Sequence, residues 1–296
     1  MKGLALYTTL YPGVEPFLPA WLAGVEAQTD HDFELCLGLD GLQVDQVYAA
    51  AGREVVARWF PAPGGAAPAA VRNAALVVLA AQYEGVVFVD ADDEMLPSRI
   101  AAARATLREG DVACCAMEIM DGNGRLLGQT FNPEDGIRQL ERVNVFGFTN
   151  SAYRSSALAA FLPAPAECAL MDWYAASLCD LAGLRLVSDS VSRMRYRQYS
   201  GNVARVVSPF SPEQVLRAAR RVAAHHELLR PYLTGRRPAD VARYTAARED
   251  VSAFIAAVEG SETVLDAYVD GLNVLQARQV WWSCVAHPKL EHLWKS

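Results

Sequence analysis

The sequence predicts an α/β fold carrying a parallel sheet, followed by an α-helical C-terminal extension. Two observations lead to it. Short apolar runs rich in β-branched and aromatic residues alternate with segments of helical period over the first two hundred or so positions. From Ser211 onward the strand pattern stops and only helical periodicity remains.

Residues 4–7 read as the first strand, released at Thr8-Thr9-Leu10-Tyr11 and turned by Pro12-Gly13. Phe17, Leu18, Trp21, Leu22 and Val25 recur at helical spacing, and that helix ends near Gln28-Thr29. A second strand, 33–39, closes on Asp40-Gly41; a helix at 44–51 and a third strand at 55–60 follow. The Pro/Gly/Ala-rich loop 61–70 feeds a helix over 71–82. That helix delivers the chain to the stretch GVVFVDADDEMLP, residues 85–97.

This stretch is the sharpest feature of the chain. Val86-Val87-Phe88-Val89 reads as a fully buried strand and runs straight into Asp90-Ala91-Asp92-Asp93-Glu94, with Pro97 expected at a helix N1 position. Carboxylates gathered at the end of a buried strand repel one another and lose hydration unless a cation offsets the charge. Hard oxygen ligands suit Mg²⁺ or Mn²⁺, which commonly bridge to phosphates. An acidic helix N-terminus complementing the macrodipole is the other reading, and Glu94 fits that one. Sites in parallel α/β sheets lie beyond the carboxyl ends of the strands, where Tyr11, Asp40 and Asp90 to Asp93 all fall.

Beyond this point a helix is expected over 99–108, a strand over 112–117 and a hairpin turn at Asp121-Gly122-Asn123-Gly124 with Leu126-Leu127 returning. Residues 144–153 look extended, and 161–165 form a stiff loop. A helix over 171–181 opens at Asp172-Trp173 and stops at Gly183; a strand at 184–187 leads into the polar run 193–202. Ser211-Pro212-Glu213-Gln214 is a capping box with Pro at N1, opening a helix to Leu229. A second helix spans 238–258, and Ser261 caps a third. Trp281-Trp282 and Trp294 read as a loose aromatic tail, and there is no internal repeat.

The totals exclude several classes. A chain of 296 residues with 52% hydrophobic and 21% charged residues is globular. The formal net charge of -7 argues against coating nucleic acid, despite basic clusters such as Arg217-Arg220-Arg221. The N-terminus lacks a signal-peptide pattern, and no segment has the ~18 apolar residues of a membrane helix. The six cysteines form no C-x-x-C pair and read as reduced core residues of a cytosolic protein. His225-His226 have no partners at zinc spacing, Gly64-Gly65 lacks the ending of a P-loop, and no G-x-S-x-G elbow is present.

Five ordered blocks between Leu4 and Val203 resemble glycosyltransferase family 2, whose members have a GT-A fold. They are Gln28-Thr29 with Phe33-Glu34 and Asp40-Gly41; Arg72-Asn73-Ala74-Ala75; Asp90-Ala91-Asp92-Asp93; Asp172-Trp173 with Gly183; and Tyr196-Arg197-Gln198-Tyr199-Ser200-Gly201-Asn202. Leu39 stands where the family often has Asp, Leu42 where it often has Ser, Met171 where an acid commonly precedes the base, and Tyr199 at the position of a His that in some relatives approaches the metal or the diphosphate.

The resemblance implies a GT-A (Rossmann-like) mixed sheet flanked by helices over residues 1–207, with a nucleotide-binding half at 1–95, an acceptor half at 96–207 and a helical extension at 208–296. It implies metal-dependent, inverting transfer of a sugar from a nucleotide diphosphate donor, a UDP-sugar first, to a saccharide, lipid-linked or protein acceptor in bacterial polysaccharide or glycoconjugate synthesis. Asp92 would hold Mn²⁺ or Mg²⁺, with Asp93 completing or supporting the shell, and Asp90 would face the ribose hydroxyls. Asp40 would accept from the uracil N–H, Thr9 would add a polar contact and Tyr11 would stack on the base. Arg72 suits a phosphate or a brace for the carboxylates.

Asp172 is the expected general base, since an inverting displacement needs one carboxylate to take the acceptor proton. Plainer roles stand beside these: Tyr11 as core, Asp40-Gly41 as a turn, Arg72 as a surface charge, Asp172 as a helix N-cap and Trp173 as core rather than a sugar platform. A nucleotidyltransferase and a non-catalytic scaffold are the alternative functions; an early Gly-rich basic loop, which the former would need, is missing. The expected location is cytoplasmic. The C-terminal helices are candidates for pairing two subunits or for peripheral contact with the inner membrane face through Arg217 to Arg221 and Trp281-Trp282.

Overall fold

The computed structural model describes residues 2–62, 65–275 and 280–295; Pro63 and Gly64 of the expected loop lie outside them. Inter-residue contacts divide the chain into two compact units, Met1–Pro133 with Phe146–Arg197, and Glu134–Val145 with Gln198–Ser296.

The first unit is α/β. Its elements are β1 (Lys2–Leu10), α1 (Leu18–Glu26), β2 (Phe33–Leu39), α2 (Val44–Ala51), β3 (Arg58–Pro61), α3 (Pro68–Gln82), β4 (Tyr83–Phe88), β5 (Glu94–Met95) and α4 (Arg99–Glu109). Then come β6 (Val112–Asp121), β7 (Leu126–Phe131), β8 (Ser151–Arg154), α5 (Ser155–Leu158), α6 (Met171–Leu181) and β9 (Leu186–Gln198). The strands form one sheet in the order β3-β2-β1-β4-β8-β6-β9-β5, with β7 beside β6.

Direction divides this sheet. β1, β2, β3 and β4 are mutually parallel, as helical crossovers require. β8 then runs antiparallel to β4 and β6, so the sheet is mixed where strand rhythm alone predicted a parallel one. β4 is central, flanked by β1 and β8, and Val86, Val87 and Phe88 are buried accordingly. The hairpin turn is where expected, with the Asp121 carboxylate accepting from the backbone N–H groups of Asn123 and Arg125.

Several expectations are corrected. Pro97 does not open a helix: Glu94 and Met95 pair with Arg195 and Met194 of β9, the Leu96 N–H bonds Arg193 C=O, and α4 starts only after Ser98. The acidic run is therefore not a helix N-terminus, and its macrodipole reading falls. Within 144–153 the strand is confined to Ser151–Arg154. The polar run after Val187 is strand, because its arginines have carboxylate partners on neighbouring elements.

The second unit is helical: α7 (Pro212–Leu229), α8 (Pro238–Gly260), α9 (Glu262–Val274) and α10 (Glu291–Trp294). The capping box forms as read, the Gln214 N–H meeting Ser211 Oγ at 3.2 Å and the Ser211 N–H meeting Gln214 Oε1 at 3.0 Å. Phe254 packs on Tyr268 and Trp294. Trp281, Trp282 and Trp294 are all buried, so the tail is core rather than loose, and its indoles are not presented to a bilayer. All six cysteines are buried and unbridged. Among the described residues no helix is long and apolar enough to cross a membrane.

His225 and His226 lie buried on α7. Burial disfavours the imidazolium, pulling His226 down to about 4 and His225 well below the ordinary value. A histidine whose folded pKa is depressed contributes stability above the unfolded value near 6.5, and loses it as pH falls toward the folded one. Acidification from pH 7 to 4.5 should therefore destabilise the helical unit, His226 alone contributing on the order of 3 kcal/mol. Circular-dichroism melts across that range should flatten in a His225→Leu/His226→Leu variant; an unchanged pH slope would refute the assignment.

Candidate active site

The site is built where the parallel strands end. β4 stops at Phe88, and the chain turns through Asp90 to Asp93, the Asp93 N–H reaching Asp90 C=O at 3.2 Å before β5 begins. Asp92 and Asp93 are buried and Asp90 is half-buried. The two flanking aspartates differ in what holds them. Both Asp93 oxygens accept from the protein: Oδ1 from the Arg197 N–H at 2.7 Å, and Oδ2 from Thr149 Oγ1 at 2.5 Å. Burial still pushes the Asp93 carboxyl well above the usual range, Asp92 and Asp90 adding to the rise while those two hydrogen bonds oppose it. Both of its oxygens are engaged by protein donors, and it supports the turn.

Asp90 has no such support. Burial raises its carboxyl to about 7, Asp92 and then Asp172 push the same way, and Arg72 opposes them. Asp90, Asp92, Arg72 and Asp172 thus share one electrostatic environment, brought together from β4, α3 and α6. Arg72 is not a surface charge: its guanidinium lies over the Phe148 ring at 5.5 Å, and Phe148 stacks on Phe88 at 4.5 Å. The next residue, Asn73, clasps Ala164 through both amide atoms, tying α3 to the loop before α6. Asp172 lies in the first turn of α6, whose N-cap is Leu170, so the N-cap reading of Asp172 is overturned. Trp173 is fully buried and serves the core.

The nucleotide-side candidates gather at the ends of β1 and β2. Thr9 faces Gly38 across the ladder, and its hydroxyl meets Tyr7 Oη at 3.1 Å. A Cβ at Gly38 would sit 2.5 Å from that Tyr7 oxygen, so only glycine admits this approach. Burial raises the Tyr7 hydroxyl pKa, Asp40 adding to the shift and Arg72 opposing it. Both therefore lie around one hydroxyl. Asp40 is also a turn residue, its N–H bonding Leu10 C=O at 2.8 Å before Gly41 at φ +76°. Tyr11, 37% exposed, is not core.

Sequence reasoning quoted, in the block from Tyr196 to Asn202, the residue that holds this architecture, but gave it no role. Arg197 is buried; besides its backbone bond to Asp93, its guanidinium donates to Asp92 C=O at 2.7 Å, Gly122 C=O at 3.2 Å and Glu94 at 3.0 Å, and it lies 4.8 Å from the Phe17 ring centroid. The alternation Arg193, Arg195, Arg197 was the available signal, a strand period inside a polar run. Thr149 carried none. Glu94 is structural, paired to Arg195 and Arg197. Among the described residues no three His, Cys, Asp or Glu side chains converge as a metal cage. Asp92 with Asp90 nevertheless suits Mg²⁺ or Mn²⁺, which take one or two carboxylates and complete their coordination with phosphates and water. A groove of about 910 Å³ lies at the opposite ends of these strands, where Lys2 pairs with Glu34 and Arg53 with Glu26.

Solved structures share this architecture. TarS residues 1–349 from S. aureus in complex with UDP-GlcNAc matches at a TM-score of 0.57 and 17% identity, covering 99% of this chain and 84% of that one. The same protein in complex with UDP matches at 0.55 and 18%, covering 87% and 71%. The chain has the GT-A fold. A mannosyltransferase from Pyrobaculum calidifontis, PcManGT, in complex with GDP-Man and Mn²⁺, matches at 0.57 and 15%, covering 92% and 81%. At these identities the likeness is one of fold. No protein-family profile matches the chain, and no curated protein sequence does.

In this GT-A frame Arg197→Ala would leave Asp92 C=O and Gly122 C=O without that donor and Glu94 without one of its cations. The expected destabilisation is about 3 kcal/mol. Urea denaturation checks it, and Arg197→Lys should recover only part, since an ammonium cannot span the same fork. A change within 0.5 kcal/mol would remove Arg197 from this role.

Proposed function

We propose that the protein is an inverting glycosyltransferase resembling glycosyltransferase family 2, moving a sugar from a nucleotide diphosphate donor to a hydroxyl acceptor in polysaccharide or glycoconjugate synthesis. The observation that carries this reading is the convergence of Asp90, Asp92, Arg72 and Asp172 at the carboxyl end of β4. The GT-A fold supports it, as do the UDP, UDP-GlcNAc and GDP-Man bound by the structures it resembles. Catalysis belongs to residues 1–207, with 208–296 as an extension.

Tyr11 offers an exposed ring to a base, while Asp40 and Thr9 supply polar partners and Asp90 an acceptor for ribose hydroxyls. Arg72 is suited to the diphosphate, because it forms no ion pair among the described residues and a planar fork matches phosphate oxygens. Asp92, with Asp90 beside it, would hold a divalent cation; Mn²⁺ or Mg²⁺ there supplies Lewis-acid neutralisation of the departing diphosphate. Asp93 holds the turn rather than the cation.

Asp172 takes the proton of the acceptor hydroxyl. The acceptor oxygen bonds to the anomeric carbon as the bond from that carbon to the diphosphate oxygen breaks, and the electron pair leaves with the nucleoside diphosphate. No second carboxylic acid is required, because a diphosphate is a better leaving group than the alkoxide of a glycoside. The burial, and after it the repulsion by Asp92, that raise the Asp90 carboxyl are the cost of presenting a cation site before the cation arrives.

Calorimetry should show UDP binding that strengthens at least tenfold with Mn²⁺. Asp172→Asn should lower turnover by 10³-fold or more while leaving that binding within threefold. Loss of both together would make Asp172 structural, and metal-independent UDP binding would remove Asp92 as a cation ligand.

A further inference from the structure

A second cavity, of about 240 Å³, lies within the helical unit, between the segment after β9, the first turns of α7 and Trp282. Its wall has an unusual charge pattern for a protein of net charge -7: Arg205, Arg217 and Arg221 line it, and no aspartate or glutamate does. Several buried or half-buried arginines of the chain are matched to carboxylates, as Arg104 is to Asp30 and Arg142 to Asp250. Here Arg205 donates Nε to Val207 C=O at 2.7 Å, and Arg221 donates to Val203 C=O at 3.1 Å; neither forms an ion pair among the described residues. Arg217 pairs with Glu213, but both side chains are solvent-exposed, where such a pair is worth little.

The neutral residues of the wall point the same way. Asn202 Oδ1 accepts from the Tyr199 N–H at 2.5 Å, and Gln214 Oε1 accepts from the Ser211 N–H at 3.0 Å. Their acceptor atoms are occupied, so each has its NH₂ group left to offer. Trp282 closes the wall with φ +70°, a strained conformation for a bulky residue that local structure must hold in place. The amide and guanidinium side chains of the wall therefore offer donors and cations, with room for a polyatomic anion rather than one water.

The geometry points to a phosphate-binding pocket in the helical unit, formed by Arg205, Arg217, Arg221, Asn202 and Gln214. Guanidinium forks bind phosphate oxygens bidentately, and several lining one cavity favour a tetrahedral group of two charges over a flat carboxylate. The ligand is a phosphate monoester or diester, free in solution or on a lipid headgroup. This assignment does not rest on the glycosyltransferase reading.

Calorimetric titration of the full chain with inorganic phosphate in chloride buffer tests it. Saturable uptake is expected, at least tenfold weaker in Arg205→Gln/Arg221→Gln. Should that variant misfold, the exposed Arg217→Gln, which disturbs no packing, should weaken uptake about threefold. No saturable uptake, equal affinity for acetate, or uptake unaffected by these substitutions would overturn the proposal. So would uptake lost in Arg72→Gln but kept in Arg205→Gln/Arg221→Gln. Failure of UDP to bind while phosphate uptake stays dependent on Arg205 and Arg221 would sink the transferase reading alone. Co-sedimentation with phosphatidylcholine vesicles, with and without phosphatidylglycerol, separates the sources: arginine-dependent binding to the anionic vesicles assigns a headgroup, and phosphate uptake without it assigns a soluble ester.

Discussion

Three carboxylates within four residues at the end of a buried strand are stable only if most of their charge is answered, and the manner of the answer organises this protein. Asp93 is answered from within, by a threonine hydroxyl and a backbone N–H. Asp90 is answered only in part, by Arg72, against burial and the repulsion of Asp92. Hydrogen bonds thus orient Asp93 to fix the turn, while burial and the neighbouring aspartates hold both Asp93 and Asp90 above the usual carboxylate range. A surface arrangement of the same residues would be screened by water and would carry no such rise.

The rest of the first unit serves that arrangement. Four parallel strands end their carboxyl termini together and set Thr9, Asp40 and the acidic turn side by side. The antiparallel half brings different residues: β9 supplies Arg197, and the segment before β8 supplies Thr149 and Phe148. Phe148 connects the halves, stacking on the last residue of β4 while carrying the Arg72 guanidinium on its ring.

How much of this could be read in advance follows from what each residue announces locally. Buried-strand hydrophobics running into aspartates are anomalous, so Asp90, Asp92 and Asp93 were visible as a centre before any fold was known. Strand direction was not, because an apolar run in β8 looks the same whichever way it pairs. Thr149 could not be found, since a threonine acquires its role only from a partner 56 residues away. The three tryptophans near the C-terminus were misread because indoles in a polar-flanked segment look unattached until a helical core forms around them. Asp93 is the instructive case. Its motif position suggested a ligand, and only the positions of Thr149 and Arg197 show that both its oxygens accept hydrogen bonds from the protein.

The bond from the Arg197 backbone to Asp93 spans 104 positions along the chain. During synthesis the acidic turn leaves the ribosome long before its clasp is made, so the nascent N-terminal half passes through a period when three aspartates have only water and counterions around them. The same dependence constrains inheritance. The turn and the strand that fastens it must travel together, and a chimera exchanging the N-terminal half alone would import the carboxylates without their fastener.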